Sequence, residues 1–176
     1  MEGYGRYTIS ALVSNKSGVL TRISSLFARR GYNIESLTVC ATEDKEISRL
    51  TIILNGDKYT LYQMIKQMDK LEDVKKVGCA NELNCVYREL ALIKVSAKPD
   101  DRRQIVEATE IYKAKVVDLS TDTMVLEITG DPAKLDAFIK VIEPYKILEM
   151  QRTGVTVLAR GKHTLKDRGC YSDYIK

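Results

Sequence analysis

The chain of 176 residues carries a single histidine, His163, and four cysteines that form no Cys-x-x-Cys pair. Those four, Cys40, Cys79, Cys85 and Cys170, leave too few ligands at useful spacing for a zinc site. Reduced thiols in a reducing compartment are the expected state. Cys40 falls in an expected strand and reads as a small buried hydrophobe. His163 lies in a polar tail, far in sequence from any strand end, so no base stands beside a serine, cysteine or threonine for nucleophilic catalysis. Carboxylates are spread over turns and helix faces, as solvated or capping groups. A glycine-rich phosphate loop is also missing: Gly3-Tyr4-Gly5 precedes the first strand rather than following one. No apolar run approaches the length of a membrane span. The opening Met1-Glu2-Gly3-Tyr4-Gly5-Arg6 lacks the apolar core of a signal peptide, and a cytoplasmic location is expected. These absences argue against an independent enzyme.

What is present is an ordinary mixture, 44% hydrophobic and 30% charged, with a net charge of +4. The excess lies in short runs, Arg29-Arg30, Lys75-Lys76 and Arg102-Arg103, and in the tail. Scattered charge of this kind is solvated surface rather than a nucleic-acid footprint.

Periodicity divides the chain into two copies of one unit. Tyr7 to Val13 alternates as a strand, and a helix follows with Leu20, Ile23, Leu26 and Phe27 on one face. That helix ends in Arg29-Arg30-Gly31, with basic residues at the negative end of the dipole and glycine just past the last turn. Strands are expected at Ile34 to Ala41 and Ile47 to Leu54, a helix capped by Asp57, and a strand from Val74 to Cys79. The order βαββαβ then recurs: strand Arg88 to Ala97, a helix with Ile105, Ala108 and Tyr112, strands Lys115 to Ser120 and Met124 to Thr129. A helix opened by Asp131-Pro132 and a strand from Ile147 to Thr153 complete it. Gly56-Asp57-x-x-x-Leu61 matches Gly130-Asp131-x-x-x-Leu135 at an offset of 74, and Ile34-Glu35 matches Val117-Asp118 at an offset of 83. Duplication accounts for the repeated order.

Between the first strand and first helix runs Ser14-Asn15-Lys16-Ser17-Gly18-Val19-Leu20. A helix start offers unpaired N–H groups and a positive dipole end, so such a junction can hold a small anion or a zwitterion. Gly18 permits close approach to the backbone, and the Asn15 amide both donates and accepts. A polar turn of this kind can equally well do no more than reverse the chain. The second copy has Lys98-Pro99-Asp100-Asp101 here, with no glycine and two carboxylates that would repel an anion. The same βαββαβ order serves RNA-recognition motifs, which stack bases on strand aromatics. The third strand, Ile47 to Leu54, has no aromatic residue, which removes that reading.

Several stretches carry a resemblance: Arg6 to Ile9, Asn15 to Arg22, Leu26 to Val39, Thr42 to Asp44, Ser48 to Ile52, Arg88 to Val95, Thr129 to Asp131 and Arg152 to Gly154. Together they resemble the small, regulatory subunits of acetolactate synthase over about residues 6–161. The resemblance implies an α+β fold of two ferredoxin-like βαββαβ domains in tandem: an ACT domain over residues 5–80 and a related domain over residues 86–161. A polar tail, residues 162–176, extends past the usual family ending. It further implies a homodimer whose ACT domains pair side by side into a continuous sheet, with valine or another branched-chain amino acid at the junction. Asn15, Lys16, Ser17, Gly18, Val19 and Leu20 of one subunit would face Asn33 and Ile34 of the other. Val19, Leu20 and Ile34 would wrap the ligand's side chain. The implied partner is a separate catalytic subunit carrying thiamine diphosphate, magnesium and FAD; no cofactor, nucleic acid or membrane is expected for this chain. The regulatory subunit raises the partner's activity and makes it valine-sensitive. A free-standing amino-acid sensor acting on another enzyme or on transcription is the alternative, although no helix-turn-helix segment is visible. Lys45 stands where the family commonly has a proline in the loop after the second strand.

Overall fold

The alternation of Tyr7, Ile9, Ala11 and Val13 places one face of the first strand in a core. In the computed structural model, which describes residues 4–167, this strand is β1 (Gly5–Ser14). It is followed by α1 (Val19–Arg29), β2 (Ile34–Ala41), β3 (Ile47–Gly56), α2 (Lys58–Asp69) and β4 (Val74–Cys79). The sheet order is β2-β3-β1-β4, with β1 antiparallel to both β3 and β4 and β2 antiparallel to β3. Ile9, Ala11 and Val13 pack with Leu50, Ile52 and Leu54 of β3 against Ile23 and Phe27 of α1 and Leu61, Met64 and Met68 of α2.

Local chemistry sets the helix ends. Gly18 caps α1 from the left-handed region (φ 84°), and Gly31 leaves it the same way (φ 69°). The Gly31 and Tyr32 N–H groups donate back to the Ala28 and Phe27 carbonyls, closing the terminus foreseen at Arg29-Arg30-Gly31. Asp57 caps α2 by accepting from the Thr60 N–H at 2.6 Å. That bond, chiefly, holds the Asp57 carboxyl below its ordinary value of 3.8. The stability it adds is therefore present above that value and lost as pH falls through the lower folded value.

The second unit repeats the plan with β5 (Cys85–Ser96), α3 (Arg102–Ile111), β6 (Lys115–Leu119), β7 (Thr123–Gly130), α4 (Pro132–Ile142), a 3-10 turn at Glu143–Tyr145, and β8 (Ile147–Arg152). Its path, β6-β7-β5-β8, matches the first sheet strand for strand. Asp131 caps α4 through the Lys134 N–H as Asp57 caps α2. Both second strands, β2 and β6, bulge near their starts. An α+β fold of two ferredoxin-like units is thus observed.

One element had no counterpart in the periodicity. β9 (Thr156–Ala159) pairs with β5, and the adjoining Arg160 N–H donates to the Asn84 carbonyl at 2.8 Å. Of the described residues, 4–86 together with 156–167 form the first unit, and 87–155 the second. Of the tail expected at 162–176, residues 168–176, including Cys170, lie outside the described residues.

Cys40 departs from expectation, being exposed rather than buried. β2 is an edge strand, and its neighbour Val39 faces the core, so the pleat turns Cys40 to the other side. Cys79 and Cys85 are buried, and burial pushes the Cys79 thiol up to about 12. Iodoacetamide applied to the folded chain at mildly alkaline pH should therefore modify Cys40 and spare Cys79 and Cys85. Peptide mass mapping checks this, and equal labelling of Cys79 would contradict the packing described.

Candidate functional site

The junction after β1 is built by the turn between β2 and β3. The Asn15 N–H donates to the Glu46 carbonyl at 2.7 Å, and its side-chain amide donates to the Lys45 carbonyl at 2.8 Å. Lys45 thus contributes its backbone oxygen here. The first bond fixes the backbone of Asn15 and the second its carboxamide, leaving the carboxamide oxygen as an acceptor and its second N–H as a donor. The turn itself is internally tied: the Thr42 hydroxyl donates toward the Asp44 and Ile47 carbonyls, and Asp44 Oδ1 accepts from the Glu46 N–H at 2.9 Å.

At the helix start the Ser17, Gly18, Leu20 and Thr21 N–H groups find no acceptor among the described residues. The Val19 N–H only reaches the Lys16 carbonyl at 3.5 Å. No side chain caps this end, and a Cβ placed on Gly18 would meet nothing within 4 Å. The result is an open, donor-rich seat for an anionic group at the positive end of α1. Lys16 and Ser17 are exposed beside it, and Leu20 is 44% exposed. Val19 differs from expectation. Its side chain is buried in the core, so it can offer a ligand only its backbone.

The corresponding junction of the second copy is built differently. The Arg102 guanidinium donates to the carbonyls of Ala97, Ser120 and Thr121 across the start of α3. The Asp101 and Arg102 N–H groups at that start both donate to the Lys98 carbonyl, at 3.0 and 3.2 Å.

Asn33 and Ile34 lie elsewhere in the same chain. Ile34 pairs with Leu54 near one end of β3, whereas Ser14, which precedes the Asn15 loop, pairs with Ile47 at the other. Seven residue steps of strand separate those registers, about 24 Å. The structure therefore brings Asn15 to Leu20 together and leaves Asn33 and Ile34 at the opposite end of the sheet. Asn33 is exposed and Ile34 half-buried at the start of the β2 edge. Next to them Glu35 is held by Arg6 at 2.5 Å and by the Asn55 amide at 3.0 Å. The carbonyls of Lys45 and Glu46 were not singled out from sequence, because a backbone acceptor in a turn leaves no residue-type signal.

An ACT-type domain paired with a related second domain is the class this fold and junction define. Residues 9–76 match the model of the AHAS small subunit-like ACT domain, and residues 88–161 match that of the small subunit of acetolactate synthase. The acetolactate synthase small subunit of Mycolicibacterium smegmatis is 50% identical over 159 residues, covering 90% of this chain and 94% of that protein. A probable acetolactate synthase small subunit of Archaeoglobus fulgidus is 48% identical, over 89% of this chain and 98% of its own length. The crystal structure of the Thermotoga maritima acetolactate synthase small subunit superposes with a TM-score of 0.84 at 40% identity, covering 90% of this chain and 99% of that one. The chain belongs to the acetolactate synthase small-subunit family.

Proposed function

We propose that this protein is a non-catalytic regulatory subunit that binds an acetolactate synthase catalytic subunit, raises its activity and makes it sensitive to valine. The reading assigns thiamine diphosphate, magnesium and FAD to the catalytic partner and no cofactor to this chain, and it places both in the cytoplasm. The observation that carries it is the uncapped, glycine-led start of α1 beside a clamped Asn15. Free N–H groups suit the valine carboxylate, the Asn15 carboxamide oxygen suits its ammonium, and Leu20 offers apolar surface to the side chain.

Strand directions support a site shared between two subunits. β2 is an edge strand, open for pairing on one side. Two such edges meeting antiparallel about a twofold axis set Ile34 of one subunit opposite the Ala41 end of the other. That end carries the second subunit's β2–β3 turn and, through its carbonyls, its Asn15 loop. A ligand held between subunits interacts differently with different subunit arrangements, which is what allosteric coupling requires.

Reconstitution is the direct test. Added to a purified acetolactate synthase catalytic subunit from the same organism, the chain should raise acetolactate formation saturably, and valine should then lower it. A rate flat across the titration would defeat the reading and favour a free-standing sensor.

A further inference from the structure

A cavity of about 410 Å³ lies within the first unit, away from the Asn15 loop, between the sheet and the returning segment 156–167. Leu12 and Ile47 line it from β1 and β3; Leu158 and Leu165 line it from the returning segment. Leu165 is 2% exposed, so this wall is packed in place. The family match ends at residue 161, and His163 to Lys166, which complete the wall, lie beyond it. The histidine that sequence placed far from any strand end thus sits beside the end of β2.

The charges on the lining have a definite pattern. The lining carries two acidic residues, Glu43 and Asp44, and two basic ones, Arg49 and Lys166; of these Glu43 and Lys166 stand 4.0 Å apart, with 85% and 63% of their side chains exposed. Such a loose, wet pair holds little energy of its own. It presents one carboxylate and one ammonium side by side on a lining that also offers the apolar side chains of Leu12, Ile47, Leu158 and Leu165. A molecule carrying both charges at one end and a short aliphatic chain at the other satisfies all three features. The volume falls in the range of small-ligand pockets.

We propose that this cavity is a second binding site, for a small aliphatic zwitterion such as a free amino acid, and that its occupancy is coupled to the Asn15 loop. The coupling runs through one short turn. Thr42, Glu43 and Asp44 line the cavity, and the next two carbonyls, of Lys45 and Glu46, hold Asn15. Hydrogen bonds within that turn tie its cavity side to its Asn15 side. The coupling, though not the site, rests on the effector reading of the Asn15 loop.

The test uses the full chain carrying Gly18→Asp, which blocks the loop site, and leucine as probe in equilibrium dialysis. Leucine should bind saturably, while its oxo-acid analogue and isopentylamine, each lacking one charge, should bind about tenfold more weakly, the cost of one charged hydrogen bond. Adding Lys166→Glu, an exposed change, should weaken leucine by about the same factor. Adding Leu165→Trp should fill the cavity and abolish binding in a chain shown by its melting curve to be folded. Failure of leucine to bind the Gly18→Asp chain overturns the second site and leaves the effector reading intact. Leucine binding indifferent to Lys166→Glu and Leu165→Trp overturns it as well. Valine binding that survives Gly18→Asp in a chain whose cavity is also filled by Leu165→Trp sinks the effector reading instead, with the cavity still judged by its own variants. For the coupling, valine affinity in the otherwise unaltered chain should shift when leucine saturates the cavity and lose that shift with Lys166→Glu; an unchanged affinity overturns it.

Discussion

Replacing Gly18 by aspartate is expected to weaken valine binding about a hundredfold, or roughly 2.7 kcal/mol, while the chain stays folded. The new Cβ meets no protein atom within 4 Å, so the side chain enters the open space where the proposed carboxylate sits. It brings a negative charge to the same unpaired N–H groups and satisfies them itself. The backbone at φ 84° adds a strain of about 1 kcal/mol for a residue other than glycine, less for asparagine and aspartate. Gly18→Asn separates the two causes, since it tolerates the left-handed conformation without the charge. It should lose clearly less affinity than aspartate, and equal losses in calorimetry would show that charge is not the reason.

A mixing experiment sharpens the same prediction. In one chain the loop and Asn33 lie at opposite ends of the sheet, so a shared site must draw on two subunits. If the site is shared as proposed, the Gly18→Asp and Asn33→Ala chains should each bind valine poorly. When their subunits exchange, each heterodimer holds one site with both changes and one with neither. Near wild-type affinity should return at one of the two sites of each heterodimer. No recovery after verified exchange would place loop and Asn33 in the same subunit's site or in none.

Arg152→Ala is expected to carry the largest stability cost in the second unit, about 3–5 kcal/mol. Glu89 on β5 is 7% exposed, and its two oxygens accept from Arg152 Nε and Nη2 at 2.9 and 2.7 Å. Arg152 reaches Asp136 on α4 at 2.6 Å with its remaining nitrogen, so one guanidinium ties β8, β5 and a helix together. The Glu89 bonds above all hold it well above its ordinary pKa. Truncation leaves a buried carboxylate without its partner, which is the costly event. Asp136→Ala, removing a half-exposed arm, should cost less than about 1 kcal/mol. The double change Glu89→Leu with Arg152→Met should recover most of the loss, because the pair as a whole gains little over well-packed apolar groups. Denaturant unfolding of the three variants decides this, and an Arg152→Ala chain as stable as the double variant would refute it.

How far these features could be read in advance varies with the range of the interactions that make them. Both cap residues, Asp57 and Asp131, and the glycine after α1 act within four residues of themselves, so their roles were visible as motifs. The alternation of β1 and β3 and the apolar spacing of the helices gave the element order for the same reason. The Glu89–Arg152 pair spans 63 residues and had no local mark. Cys40 was misplaced because alternation says which residues share a face, but not which strand is left at an edge. The side chain of Val19 turns into the core rather than outward, because the helix pattern alone leaves open where the first turn enters the core.

Sequence by itself determined the two βαββαβ units, their caps, and the family resemblance that singled out residues 15–20 and 33–34. Each rests on contacts between residues close in the chain, or on a motif carried whole. Tertiary structure alone decided that those two segments lie about 24 Å apart along β3, which depends on strand direction and register. It alone returned residues 156–167 to the first unit, where a histidine and a lysine from the tail help enclose a cavity. Pairings between distant segments are selected by burial and hydrogen bonding over the whole fold, and no local pattern encodes them.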